Sequence, residues 1–381
     1  MIGLSIYKGE LAPKGGPSGY LYNLKMSIDS NKDKEIDIIY EENTKKEKNI
    51  FSFLKRTLKK YVSPNIIYND LRIENFYKVF WKNNSNTIKH SKILHFHTTQ
   101  DFFYFCKFND IKNHILILTS HSPELPYIEK EKKLLSQGYS KSEISSVIER
   151  QKEIDIFAFK NANYLIFPCE ESVEPYQAFF SYLDINMRKI KYVLTAVPPI
   201  EIKTSYHDMK NKLGIDKNVK IIVYIGRKNI TKGYDIFCEV AKKFKNNKKY
   251  MFISAGIGNI KSPSQNNFID IGWTDEPGSL LNIADVVLIP NRSTYFDIGV
   301  IQALSLGKQI ITTLTGGNKW FKNKGFDIHF FEPESVNKVI EYLKDEKIFK
   351  NSLQNKTLYN KYFNIDNFAN NYKKVYQQCV N

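Results

Sequence analysis

The 381-residue sequence predicts an α/β protein with parallel sheets, built in two halves. Three observations carry this expectation. Short runs rich in Val, Ile and Leu alternate with longer stretches of helical periodicity in both halves. The runs are apolar almost throughout, as strands covered on both faces are. One Pro-containing polar stretch, from Pro198-Pro199 to His207, separates the halves as a linker. Length alone allows about two or three ordinary domains.

In the first half, Met1–Tyr7 reads as a strand leading into a Gly-rich turn. Gly15-Gly16 and Gly19 precede a helix containing Tyr20–Leu24, and such a turn suits close backbone approach to phosphate. Ile36–Tyr40 is a second strand. In residues 48–62, Ile50, Phe51, Phe53, Leu54, Leu58, Tyr61 and Val62 recur at helical spacing, with Lys55, Arg56, Lys59 and Lys60 mostly opposite. That pattern fits a helix lying on an anionic membrane and equally an ordinary half-buried helix. Residues 74–82, ENFYKVFWK, repeat the aromatic-plus-lysine character. Each near-surface Lys or Arg adds ~1 kcal/mol on an anionic leaflet, so the second segment raises the membrane reading slightly above the half-buried one.

Lys92–His97 is a strand ending at His95 and His97, and Phe102–Phe108 an aromatic helix. The strand Ile115–Ser120 puts His121 at its carboxyl end, where Pro123 turns the chain. Gly138–Ala162 reads as a charged helix, with Ser140 and Glu143 forming a capping-box pattern. Asn163–Pro168 is another buried strand, a helix follows around Glu171–Tyr182, and residues 191–200 read as the last strand of this half.

The second half opens with the strand Val219–Gly226. Arg227-Lys228 stand at its carboxyl end, followed by Lys232-Gly233 and a helix, Tyr234–Lys245. Tyr250–Ala255 and Phe268–Ile271 are further strands, the latter running into Gly272-Trp273. The richest stretch is Asn282–Gly317: strand Ala284–Pro290, polar loop Asn291–Asp297, helix Ile298–Leu306 closed by Gly307, strand Lys308–Thr313, and a flexible Gly316-Gly317 pair. Ligands of open α/β sheets sit outside the carboxyl strand ends, and exposed N–H groups there favour an anion. A basic segment, NKWFKNKGFD, a helix Ser335–Lys344 and a terminal amphipathic helix complete the chain.

Composition narrows the function. No window approaches the ~20 apolar residues of a membrane span, and the start of the chain lacks a cleavable signal pattern. Cys106, Cys169, Cys238 and Cys379 lie far apart, as buried thiols in a reducing cytosol do, and the seven histidines form no zinc pattern. The formal charge of +16 fits nucleic acid, an anionic membrane, phosphorylated substrates or a merely lysine-rich chain. No recognition helix or RNA-binding signature supports nucleic acid.

Pro290, Gln302-Ala303, Gly307 and Gly316-Gly317 keep the frame of the donor-binding signature of retaining GT-B glycosyltransferases of family 4, and the chain resembles that family. Gly226-Arg227 … Lys232-Gly233 resembles the family's Gly-Arg … Lys-Gly motif. The resemblance implies two Rossmann-like domains facing across a cleft: an acceptor-side domain 1–199, a nucleotide-sugar domain 200–363, and a helix 364–381 returning to the first. It implies a nucleotide-diphosphate sugar as donor, its diphosphate clamped by Arg227 and Lys232, with His121 facing the reacting sugar. Gly15, Gly16 and Gly317 would give backbone approach, Gly272 and Trp273 would hold the nucleobase, and Gln302 would meet the ribose. No metal or other cofactor is implied, because the basic pair neutralises the phosphates. The family carries two acids where this chain has Thr294 and Gln302, and Asp297 stands three residues from the first of them. That departure leaves two expectations. One is a hexosyl-type transferase acting in the cytoplasm, peripheral at the membrane, on a glycan or lipid-linked acceptor of capsule, lipopolysaccharide or cell-wall polymer assembly. The other is a non-catalytic GT-B subunit that stabilises a partner transferase.

Overall fold

The computed structural model describes residues 1–13, 15–41 and 70–381. Among them are two six-stranded sheets, and every strand pair in both is parallel. The chain divides into two compact units. One comprises Met1–Phe167, Pro175–Leu194 and Ile365–Asn381, the other Pro168–Glu174 and Thr195–Asn364. The basic segment 48–62 lies outside the described residues.

The N-terminal sheet contains β1 (Gly3–Tyr7), β2 (Ile36–Tyr40), β3 (Ile93–Phe96), β4 (Ile115–Leu118), β5 (Tyr164–Phe167) and β6 (Ile190–Tyr192), in the order β2-β1-β3-β4-β5-β6. After β2 the chain returns to the other side of β1, so the order reverses between β1 and β3. Leu4, Ile6, Leu94 and Phe96 are fully buried, which is why these strands read as continuous apolar runs. The flanking helices are α1 (Pro17–Ser30), α2 (Asp70–Lys89), α3 (Thr99–Phe108), α4 (Pro126–Ser136), α5 (Lys141–Asn161) and α6 (Gln177–Tyr182). Ser140 and Glu143 form the expected capping box at the start of α5.

Two expectations for this unit change. The last strand covers only Ile190–Tyr192, not 191–200. Among the described residues it has a neighbour on one side alone, the chain leaves the unit after Leu194, and Pro198-Pro199 have no N–H to donate to a ladder. Three of the four aromatics of residues 74–82 pack into the core: Tyr77, Phe80 and Trp81 of α2 are buried, with Tyr77 stacked on Tyr104 and Trp81 edge-on to Phe105, while Phe76 is half-buried.

The C-terminal sheet contains β7 (Lys220–Ile225), β8 (Tyr250–Ala255), β9 (Phe268–Gly272), β10 (Val286–Ile289), β11 (Gln309–Thr313) and β12 (Ile328–Phe331), in the order β12-β11-β10-β7-β8-β9. The order reverses between β7 and β10. Its helices are α7 (Tyr206–Lys212), α8 (Tyr234–Lys243), α9 (Pro277–Ile283), α10 (Ile298–Ser305), α11 (Asn318–Asn323), α12 (Val336–Lys344) and α13 (Leu353–Tyr362). Gly307 adopts φ 65° just past α10, the left-handed geometry that ends a helix. The segment expected only to be basic carries a helix, α11, whose Trp320 and Phe321 are buried against Phe326 and Phe363.

The last helix, α14 (Phe368–Val380), belongs to the N-terminal unit. Phe368, Tyr372 and Tyr376 are buried there. Ser27 Oγ accepts from Ala369 N at 3.0 Å, which ties α14 to α1. The ring of Tyr376 lies over Gly3 so closely that a Cβ at that glycine would stand 2.2 Å from it. Gly3→Ala is therefore expected to lower stability by about 1–3 kcal/mol through overpacking, measured by denaturant unfolding. An unchanged midpoint would mean that α14 does not seat there.

Candidate functional site

The carboxyl edge of the C-terminal sheet is where ligands of such a sheet sit, at the reversal of strand order. β7 leads into residues 226–233 and β10 into residues 290–297, so these loops flank the reversal. They meet backbone to backbone. Gly233 has φ 63°, and a Cβ there would lie 1.7 Å from the Pro290 carbonyl oxygen. Only glycine fits both demands. Arg292 N donates to Thr231 O at 2.9 Å, and the Arg292 guanidinium grips both oxygens of Asp235 on α8 at 2.7 Å. The buried Tyr224 hydroxyl lies 2.7 Å from the Arg227 carbonyl and 3.4 Å from that of Lys232, bracing the first loop from below. The Gly316-Gly317 pair serves close packing, not flexibility: a Cβ at either would stand 2.1 Å from a carbonyl oxygen, of Thr294 and of Tyr295 respectively.

Within this frame Lys232 and Asp297 meet. Lys232 Nζ is 3.1 Å from Asp297 Oδ2, and their side chains are 25% and 11% exposed. Asn291 Nδ2 also donates to that oxygen, while Asp297 Oδ1 accepts from Gly299 N at 2.9 Å and so caps α10. Burial pushes the Asp297 carboxyl up, but the Lys232 charge and these hydrogen bonds outweigh it and hold the group below its ordinary value of 3.8. Arg227 stands exposed at the end of β7. Gln302 lies half-buried in the middle of α10. Thr294 is turned inward, 2% exposed, and its hydroxyl has no hydrogen-bond partner among the described residues; its backbone oxygen accepts from Gly317 N at 3.3 Å.

The adjacent Arg227 and Lys228 point different ways. Lys228 is buried and bonded to Asp270 of β9, which also accepts from Ser262 Oγ and, at 2.9 Å, from Gly272 N. This network, absent from the sequence reading, fixes the turn at Gly272, φ 70°, beside which Trp273 is 70% exposed. The available signal was a lone Asp in the otherwise apolar strand FIDIG.

The N-terminal unit holds the remaining predicted residues, also at carboxyl strand ends. Gly15 and Gly16 are exposed ahead of α1; Gly16 has φ 75° and leads into Pro17 at the first helical position. His121 has φ 57°, a left-handed conformation uncommon for a side-chain-bearing residue. Its loop is braced by the buried Tyr176 hydroxyl, which lies 2.8 Å from Ser120 Oγ, 2.7 Å from Ser122 O and 3.2 Å from Glu124 O. His121 Nε2 is 2.8 Å from His97 Nδ1, a contact between the ends of neighbouring strands β3 and β4. Behind them His95 lies 2.8 Å from both the Tyr376 hydroxyl and Thr119 Oγ1. Burial pushes His121 down to about 3 and lowers His95 and His97 as well, so all three rings are neutral near pH 7. Among the described residues no group of three or more His, Cys, Asp or Glu is placed to hold a metal ion, and no helix is long and apolar enough to cross a membrane.

The predicted residues thus fall into two sets. Gly15, Gly16 and His121 lie in one unit; Arg227, Lys232, Gly272, Trp273, Thr294, Asp297, Gln302 and Gly317 lie in the other. Lys232 touches Asp297, and Thr294 touches Gly317; Gly272 and Trp273 sit at β9, two strands from β7. Asp297→Asn keeps a helix cap but removes the charge, and is expected to cost about 1–3 kcal/mol near pH 7. Because the folded carboxyl titrates below 3.8, this stability is complete above that value and is lost as pH falls through the lowered one. Unfolding of wild type and variant at about pH 7 and about pH 3 checks this. A difference that does not shrink at the acid end would refute the ion pair.

Residues 205–360 match the family described as Glycosyl transferases group 1. A protein of the cps region of Klebsiella pneumoniae is 25% identical over 187 residues, 46% of this chain and 46% of that one. The UDP-Gal:alpha-D-GlcNAc-diphosphoundecaprenol alpha-1,3-galactosyltransferase of Escherichia coli is 24% identical over 243 residues, 59% of this chain and 62% of that one. The matches therefore span about half to three-fifths of these relatives' own lengths. Among solved structures, Anabaena Alr3699/HepE in complex with UDP superposes with a TM-score of 0.65 at 11% identity, covering 99% of this chain and 100% of that one. The chain has the fold of the GT-B glycosyltransferases, and the stretch that matches the group 1 model lies within its C-terminal unit.

Proposed function

We propose that the protein transfers a sugar, with retention at the anomeric carbon, from a nucleoside diphosphate sugar to a glycan or lipid-linked glycan of bacterial surface polysaccharide assembly. The observation that carries this reading is the placement of Lys232, held by Asp297, at the strand reversal, with Arg227 exposed on the same loop. Glycosyl transfer breaks the bond between the anomeric carbon and the β-phosphate oxygen, so negative charge grows on the leaving nucleoside diphosphate. Preorganised cations aimed at that oxygen stabilise the transition state more than the ground state. Arg227 suits a bidentate phosphate contact and Lys232 a point charge. Together they supply the positive charge that the departing diphosphate needs, without a metal.

Asp297 does different work from the two acids that the family carries. It stands at the loop's end instead of its start, and it aims the lysine rather than the sugar. Gln302 meets the ribose through hydrogen bonds without a charge. Trp273, exposed beside the Gly272 turn, offers a face to the nucleobase. On the acceptor side, the neutral His121 ring meets the sugar undergoing transfer, and Gly15-Gly16 give backbone access. The acceptor proton goes to the leaving phosphate, so no enzymic carboxylate nucleophile is required, unlike the paired acids of glycosidases. One relative named above belongs to a cps region and the other is named for transfer to a GlcNAc-diphosphoundecaprenol, which favours an acceptor of that lipid-linked class. A peripheral position at the cytoplasmic membrane face follows from such an acceptor.

A panel of nucleotide sugars, beginning with UDP-hexoses, tests the reading by transfer and by thermal shift, since ligands raise the melting point by mass action. Lys232→Ala is expected to weaken nucleoside diphosphate affinity by roughly tenfold or more, as loss of a charged hydrogen bond does. Unchanged affinity would remove the clamp. Gln302→Glu is expected to keep or improve donor binding, and abolished binding would put the ribose elsewhere. A folded protein that neither binds nor turns over any donor would favour a non-catalytic subunit.

A further inference from the structure

The imidazole behind His121 gives it more than a neighbour. His97 is fully buried, its Nδ1 lies 2.8 Å from His121 Nε2, and its other nitrogen, Nε2, meets no hydrogen-bond partner among the described residues. The surrounding donors assign the protons. Thr119 gives its single hydroxyl proton to the Ile166 carbonyl, 3.0 Å away. Its oxygen therefore accepts from His95 Nε2, which leaves His95 Nδ1 bare to accept from the Tyr376 hydroxyl at 2.8 Å. His95 packs against His97 with ring centroids 4.2 Å apart and offers it no further donor. One proton must lie between His97 and His121. If His97 carries it on Nδ1, the unmet group inside is a lone pair. If His97 instead carries its proton on Nε2, an N–H is buried without an acceptor, the rarer arrangement in folded proteins. Tyr20 closes on the His121 ring from another side, edge-on at 4.5 Å between centroids.

We propose that His97 is a positioning residue: it donates its Nδ1 proton to His121 Nε2, fixing His121 as the Nδ1–H tautomer and holding the ring at one angle. His121 then carries its proton on Nδ1 and has its Nε2 lone pair engaged by His97, so neither ring nitrogen is set to remove a proton. This rests on the reading in which His121 meets the reacting sugar. It also gives the left-handed backbone at His121 a purpose: the ring is turned back onto β3 instead of following its own loop.

Full-length protein labelled with 15N-histidine tests the proton assignment by long-range 1H–15N correlation, with a His121→Gln spectrum to identify the His121 signals. The expected result is a neutral His121 protonated on Nδ1 and a neutral His95 protonated on Nε2. A His121 protonated on Nε2, or a charged ring, overturns the proposal. Two variants test the consequence. His97→Phe keeps the bulk and loses the donor, and is expected to lower kcat about a hundredfold, the scale of a misplaced group. KM for the sugar nucleotide and affinity for uridine diphosphate should stay as in wild type. His97→Asn returns an N–H near the place of Nδ1 and is expected to recover most of the rate. Equal losses in both variants, or none in His97→Phe, overturn it. If His97→Phe does not fold, His97→Asn and the spectrum decide. If wild type turns over no donor, the transferase reading fails, and the tautomer spectrum alone decides the role of His97.

Discussion

Along the carboxyl edge of the C-terminal sheet, backbones approach each other more closely than any side chain would permit. Gly233 under the Pro290 carbonyl, and Gly316 and Gly317 under those of Thr294 and Tyr295, draw the loops after β7, β10 and β11 into one layer. Everything proposed for the site depends on that compression. It brings a lysine from one loop within 3.1 Å of a carboxylate from another, across 65 residues of sequence. It also explains why these positions are glycine. Conformational freedom is the smaller part of their use; the missing Cβ is the larger.

The same layer shows how a basic loop is sorted by burial. Of three cations in 227–232, Lys228 is committed inward to Asp270, Lys232 is held at its tip by Asp297, and Arg227 is exposed. A buried ammonium without a carboxylate would be costly, and each inward lysine has one. The carboxylates differ in what they stabilise besides: Asp270 orders the turn at Gly272, and Asp297 caps α10. In the N-terminal unit three imidazoles and the tyrosines of α14 meet behind the His121 loop, while Ser122 beside it donates to Glu129 at 2.7 Å.

Much of this was legible in the sequence because parallel strands buried on both faces leave an unmistakable apolar signature. β7, β8, β10 and β11 fall within two residues of where the runs of Val and Ile placed them, and the strand-end positions of Arg227, Lys232 and His121 followed directly. The partnership of Lys232 with Asp297 did not, because the two are joined by topology and not by spacing. A reader of sequence alone sees Asp297 three residues out of register; the fold sees it at the mouth of a helix. β12, α11 and the shortness of β6 were obscured for a similar reason: each is decided by what it packs against. The pairing of His97 with His121 was recoverable in principle, since both close adjacent strands of one sheet.

The seating of α14 has a consequence for how the chain reaches its fold. Tyr376 covers Gly3 and bonds to His95, and Ile365–Asn381 is counted within the unit that begins at Met1. As the polypeptide emerges from the ribosome, the first sheet can collapse early but has to wait for Phe368, Tyr372 and Tyr376 to cover it. Domains made first usually fold first. Here the C-terminal unit is complete by Asn364, so it has all its residues before its predecessor does.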